Sequence, residues 1–186
     1  MVRLTRHFFE QPTLIVAREL IGAEIVITHT NFTKRARIIE TEAYVGPEDL
    51  ASHASRGLTK RTKPMFGPAG FTYLYLIYGM YWCLNIITER EDYPAAVLIR
   101  AVEPLEPQAI PKTASGPGKT CRWFGLDGSW NQMDACGDIL YIEIDDQQAK
   151  PPISTGPRIG VAYAGQWAAK PWRFGWTNHP KLSRKF

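Results

Sequence analysis

Cysteine is scarce in this chain and shows no pairing pattern. There are three, Cys83, Cys121 and Cys136, with no C-x-x-C pair and no histidine-rich segment around them. A structural metal site takes about four ligands at repeating spacings, so the set reads as core thiols in a reducing compartment. The four histidines, His7, His29, His53 and His179, stand isolated, and no metal is expected. No apolar run reaches the roughly 20 residues of a membrane span. The charged start, Met1 to His7, leads into no apolar signal segment. The expectation is a cytoplasmic protein with no membrane partner. Absent too are a G-x-G-x-x-G after a strand, a P-loop and a G-x-S-x-G, which argues against nucleotide cofactors and serine-hydrolase chemistry. There is no internal repeat and no low-complexity segment.

What is present is ordinary in amount and uneven in placement. The 186 residues, 45% hydrophobic and 22% charged, make one domain's worth, expected to span 1–186, and exclude disorder, collagen and coiled coil. A core of this size buries roughly 70% of the unfolded surface. Lys and Arg number 22 against 18 Asp and Glu, a net +4 that permits a nucleic-acid partner without demanding one. Arg56-Gly-Leu-Thr-Lys60-Arg61-Thr-Lys63 forms a basic loop, and Lys181 to Phe186 a basic tail. Either is a solvated face or a set of phosphate contacts.

Pro12 to Gly22 reads as a helix, with Thr13 as a cap and Gly22 as a stop. Runs rich in Ile, Val, Thr and Tyr predict strands over 23–30, 37–45, 71–77, 82–88 and 95–102, with later ones at 139–145 and 158–162. Pro47 to Ser55 suits a helical turn or short helix, since Pro favours a first turn and Glu48-Asp49 the helix dipole. A further helix is expected near 118–126, a loop over 56–70 and a connection over 104–118. Strands outnumber helices and do not alternate with them, which predicts an α+β fold with a mostly antiparallel sheet.

Two segments are odd for what they predict. In Arg37 to Val45, strict alternation places Ile38, Glu40, Glu42 and Tyr44 on one face. Two carboxylates in a β-run mean either an edge facing water or a general base in a site. Burial raises a carboxyl pKa and a nearby Arg lowers it, so a base ionised at neutral pH needs the cation. In Phe71 to Asn85, Tyr78-Gly79-Met80 reads as a hairpin tip. Large side chains there serve as a contact surface, such as a wedge between base pairs, or are capped by another loop of the domain.

The run Glu40-Thr-Glu-Ala-Tyr-Val-Gly-Pro-Glu-Asp49, then His53, Pro64-Met-Phe-Gly-Pro68, Tyr73 to Asn85 and Val97-Leu-Ile-Arg-Ala-Val-Glu-Pro104 resembles the alkyladenine (3-methyladenine) DNA glycosylase family. Gly116-Pro-Gly-Lys-Thr-Cys121 and Arg158 to Trp167 continue the match in order, over nearly the whole chain. The resemblance implies a single α+β domain with a curved sheet and a protruding hairpin. It implies a monofunctional glycosylase that flips damaged purines from duplex DNA and hydrolyses the N-glycosidic bond. Such a protein acts as a monomer without a cofactor, at the nucleoid if bacterial.

By the same resemblance Glu42 is the base and Arg100 holds it and its water, with main chain at Ile159 completing the water site. Tyr44, His53 and Tyr75 wall the base pocket, and Asn85 crowds the 2-amino group of guanine. Tyr78 fills the gap in the stack, and Lys60, Arg61 and Lys63 meet the DNA backbone. A non-catalytic binder of damaged DNA is the alternative, opposed by the presence of Glu42 and Arg100. Two features depart from the family pattern. The connection between Pro104 and Gly116 is shorter than in many members, and Thr62 stands where many have Asn.

Overall fold

The computed structural model describes residues 1–106 and 114–186; the interior of the short 104–116 connection lies outside the described residues. Strands form where the β-branched and aromatic runs lie: β1 Val2–Arg3, β2 Glu24–Thr28, β3 Thr33–Tyr44, β4 Thr72–Ile77, β5 Tyr81–Thr88, β6 Ala95–Pro104, β7 Leu140–Ile144, β8 Ile153–Gly156 and β9 Arg173–Trp176. Helices are α1 Arg6–Phe9, α2 Thr13–Glu19 and α3 Pro117–Phe124, with 3-10 turns at His53–Arg56, Lys63–Phe66, Gly128–Trp130 and Ala162–Ala169. The strands pair antiparallel in the order β1-β7-β2-β3-β6-β5-β4, and β9 joins β3 while also pairing β8. This is the expected α+β class.

One face of the sheet carries the main core. Val16 and Ala17 of α2 and Cys121 and Phe124 of α3 pack there against Ile38, Leu84, Ile86, Val97 and Ile99. Fully burying a side chain such as Leu84 contributes about 1.5–3 kcal/mol. The opposite face carries the polar and aromatic side chains that form the site.

The parity of β3 changes along its length. Ile38 pairs with Val102, Glu40 with Ala101 and Thr41 with Ile99, so Ile39 and Arg100 are left over at two irregularities of the β3–β6 ladder. Ala36 and Ile38 face the main core before the slip, and Ala43 faces it after. Thr41 donates to the Ala17 carbonyl of α2 at 2.7 Å. Uninterrupted alternation put Ile38 with the carboxylates; the bulge instead turns Ile38 to the core and aims Glu40, Glu42 and Tyr44 the other way. Bulges re-aim side chains in this manner beside functional sites.

Two other expectations change and a third narrows. Thr13 does not cap α2: Pro12 holds that position, and Glu89 accepts from the Thr13 N–H at 3.1 Å. Of the helical turn or short helix expected from Pro47, turns form, with one 3-10 turn at His53 capped by the Ser52 side chain accepting from the Ala54 N–H. The strand expected at 158–162 is absent, because Gly160 sits at φ +80° and Arg158 is drawn inward onto Asp49. Strands form instead on either side of that segment, as β8 and β9.

Candidate active site

The bulge brings four charges together. Glu40 and Glu42 are both wholly buried, so neither lies on a solvated edge. Arg100 reaches Glu40 Oε1 through Nε at 3.2 Å and Glu42 Oε1 through Nη1 at 3.4 Å. Arg173 donates to Glu40 Oε1 at 3.0 Å. Glu42 also accepts from the Tyr44 hydroxyl on Oε2 and from the Ile159 N–H on Oε1, each at 2.8 Å. Burial raises the Glu42 carboxyl above its ordinary range, opposed by the Arg100 charge and these two hydrogen bonds. Arg100 is present as the sequence required, yet burial outweighs it. The Ile159 main chain, expected to complete the water site, donates its N–H to the carboxylate.

In front of Glu42 lies a cavity of about 250 Å³ lined by Tyr44, His53, Tyr75, Asn85, Tyr78 and Ile159, among others. The β-register explains the grouping: Tyr73 pairs Asn85 across β4–β5, and Asn85 pairs Leu98 across β5–β6. The His53 and Tyr75 rings meet edge to face at 4.5 Å. His53 Nδ1 is 3.1 Å from the Tyr73 hydroxyl. Burial, then the charges of Arg61 and Arg56, push the imidazole down to about 4, so His53 is neutral at physiological pH. Asn85 donates to the carbonyls of Tyr73 at 3.0 Å and Cys83 at 3.3 Å. Both bonds come from its amide nitrogen, so the carboxamide is fixed in orientation while it walls the cavity.

Lys60, Arg61 and Lys63 are all exposed. Arg61 turns toward the cavity, with its guanidinium 5.5 Å above the Tyr75 ring. Arg61 thus borders the pocket mouth while remaining exposed. Thr62, the departure from the family pattern, is buried. Its hydroxyl donates to the Gly57 carbonyl and accepts from the Thr59 N–H, both at 2.8 Å, and so ties the loop. The tail is also partly held, because Lys181 pairs with Glu103 at 3.0 Å.

The hairpin tip projects. Tyr78 is 82% and Met80 64% exposed, so no loop among the described residues caps them. Tyr78 at φ 52° and Gly79 at φ 67° are the two left-handed residues of a tight hairpin turn closed by the Met80 N–H on the Ile77 carbonyl at 3.1 Å.

Sequence reasoning missed the pair behind Tyr44. Arg158 and Asp49 are both wholly buried and bound through both guanidinium nitrogens. Arg158 also donates to the Ala43 carbonyl at 2.8 Å and lies 4.8 Å over the Tyr44 ring. Asp49 accepts from the Val45 and Ala51 N–H groups. The pair locks the loop after Tyr44 to the segment that presents Ile159. Among the described residues no cluster of His, Cys, Asp and Glu could hold a metal ion, no helix is long and apolar enough to cross a membrane, and all three cysteines are free.

Residues 7–180 match the model of the methylpurine-DNA glycosylase (MPG) family. This chain belongs to that family. A Myxococcus xanthus protein provisionally named 3-methyladenine DNA glycosylase is 47% identical over 170 residues, covering 91% of this chain and 88% of its own. A Methanocella arvoryzae protein with the same name is 47% identical over 98% of this chain and 96% of its own. One from Legionella pneumophila strain Corby is 45% identical over 99% and 100%. As a family member, the chain is placed among the DNA glycosylases of DNA repair.

Proposed function

We propose that this family member flips alkylated or deaminated purines, such as 3-methyladenine, 7-methylguanine, hypoxanthine and ethenoadenine, out of duplex DNA and hydrolyses their N-glycosidic bond as a monofunctional, monomeric, cytoplasmic enzyme. The observation that carries the reading is Glu42, buried and held by Arg100, Tyr44 and Ile159 behind the cavity wall. A water oxygen attacks C1′ as the bond from C1′ to the base nitrogen breaks. The base leaves with that electron pair, Glu42 takes the water proton, and an abasic sugar remains. The transition state has oxocarbenium character, which an ionised carboxylate stabilises. The rings of Tyr44 and Tyr75 suit a cationic alkylated purine. Tyr78 fills the vacated stack, and the cost of flipping, a few kcal/mol, is least for damaged pairs. Incubation with duplexes carrying one lesion each should yield alkali-labile abasic sites. Intact strands with every lesion would overturn the assignment, and elution as a dimer would overturn the monomer.

Lys60, Arg61 and Lys63 are assigned to phosphates, and Lys60 and Lys63 lie away from the pocket mouth. Their double replacement by Ala should weaken binding to all duplexes alike and flatten the slope of log K against log salt by about 0.9 per lost contact. An unchanged slope would make the loop a solvated face. Asn85 is assigned to guanine exclusion. Since its amide nitrogen bonds to main chain, the penalty on a 2-amino group is mainly one of volume. Asn85→Ser should raise the ratio of guanine to hypoxanthine excision, and should lower stability by about 1 kcal/mol for each main-chain bond lost. A ratio that stays level would leave Asn85 a strand support.

A further inference from the structure

Residues beyond 180 lie outside the family match, yet they enter the buried charge cluster. The Ser183 N–H donates to Glu40 Oε2 at 2.7 Å and its hydroxyl to Glu40 Oε1 at 2.9 Å. The same hydroxyl accepts from Arg100 Nε at 2.9 Å. Arg173 donates to the carbonyls of Arg184 at 3.0 Å and Lys185 at 3.3 Å and lies 3.8 Å from the Phe186 ring centre. Phe186 fits against Gly175, where a Cβ would stand 2.3 Å from the ring. Ser115 donates to the Leu182 carbonyl at 3.1 Å.

We infer that Leu182–Phe186 is a strap that sets the aim of Arg100 on Glu42, with Ser183 as the positioning residue. The distances decide which end of the guanidinium is anchored. Its contact with Glu42 is single and long, 3.4 Å, whereas Nε sits 2.9 Å from Ser183. A planar guanidinium held at Nε has its Nη atoms directed, so the strap sets where Nη1 points. Glu40 is the fixed end of the relay: its two oxygens are taken by Arg100, Arg173 and Ser183. Glu42 itself is faced by Arg100 from β6, by Glu40 and Tyr44 of its own strand, by Cys83 of β5 and by Tyr75 of β4. Arg100 is the cation of that set, so letting it swing away leaves the Glu42 carboxylate less well compensated.

The inference rests on the assignment of Glu42 as the base, and the test separates the two. Ser183→Ala removes the nearer of the two acceptors of Nε, leaving Glu40 Oε1 at 3.2 Å, while keeping the main-chain bond to Glu40; Ser183→Thr keeps the hydroxyl. Single-turnover release of hypoxanthine from a duplex should slow about 10-fold in Ser183→Ala, less than the roughly 100-fold that a 1 Å misplacement can cost. Duplex affinity should hold, and Ser183→Thr should restore the rate. Independently of any activity, the midpoint of the Glu42 carboxyl carbon, followed by NMR, should move upward in Ser183→Ala and return in Ser183→Thr. If the parent releases no base from any duplex, the proposed function falls, and the Glu42 midpoint still decides the strap. A lowered melting temperature with unchanged rate and midpoint would make Ser183 a packing residue and overturn the inference. Phe186→Ala, at a residue already 42% exposed, loosens the far end of the strap. It carries the same test if Ser183→Ala does not fold.

Discussion

Glu42→Gln is expected to keep lesion binding and to slow base release by about 10²–10⁴-fold, the usual cost of losing a general base. The amide keeps the shape of the carboxylate and can still accept from Tyr44 or Ile159, but it cannot take a proton from water. Single-turnover excision and duplex affinity, measured on the same lesion, separate the two effects. Near-normal excision by the variant would remove Glu42 from the mechanism. The pH profile gives a second check. The carboxyl is shifted upward by burial, so the rate should fall on the acid side as pH drops through that raised value. The acid-side fall should vanish from the residual rate of Glu42→Gln.

The largest loss of stability should come from Asp49→Ala. Arg158 would be left charged and wholly buried, and its Nε already lacks a partner. Removing one member of a buried pair costs about 3–5 kcal/mol. At about 2–4 °C per kcal/mol for a chain of this size, the melting temperature should drop by about 6–20 °C. The Val45 and Ala51 N–H groups lose their acceptor as well. Combining Asp49→Leu with Arg158→Met should recover part of the loss, because an apolar pair leaves no unpaired charge. Calorimetry of the three variants decides it. A melting temperature within 2 °C of the parent in Asp49→Ala, against the roughly 2–4 °C that even 1 kcal/mol would move it, would show that water reaches Arg158.

Most of the fold was legible because its strands are long and rich in β-branched and aromatic residues. β8 and β9 were not, since Ile153-Ser-Thr-Gly156 and Arg173-Phe-Gly-Trp176 are short, hold glycine and lack clean alternation. The bulge was invisible for a related reason: alternation is read locally, while a register slip is set by the partner strand. Glu42 stood out because a carboxylate among apolar neighbours in a strand is anomalous on its own. Asp49 did not, because Glu48-Asp49 after a proline looks like a helix start, and its partner Arg158 is 109 residues away. That Arg61 also lies over the Tyr75 ring was not legible, because its place above an aromatic is set by what packs opposite. Ser183 gave no signal, as a lone serine in a basic tail is ordinary.

The turn at the hairpin tip has a kinetic consequence. A tyrosine in left-handed backbone costs roughly 1–2 kcal/mol, and Tyr78 carries that cost in the free protein. On the proposed function, none of it remains to be met at the moment of encounter. On that reading the tip meets a duplex as a preformed probe, its turn already closed. What it senses is then a property of the DNA, the ease with which a given stack opens. Lesion search speed should follow the breathing of the base pair, and stiffening the tip further should leave it unchanged.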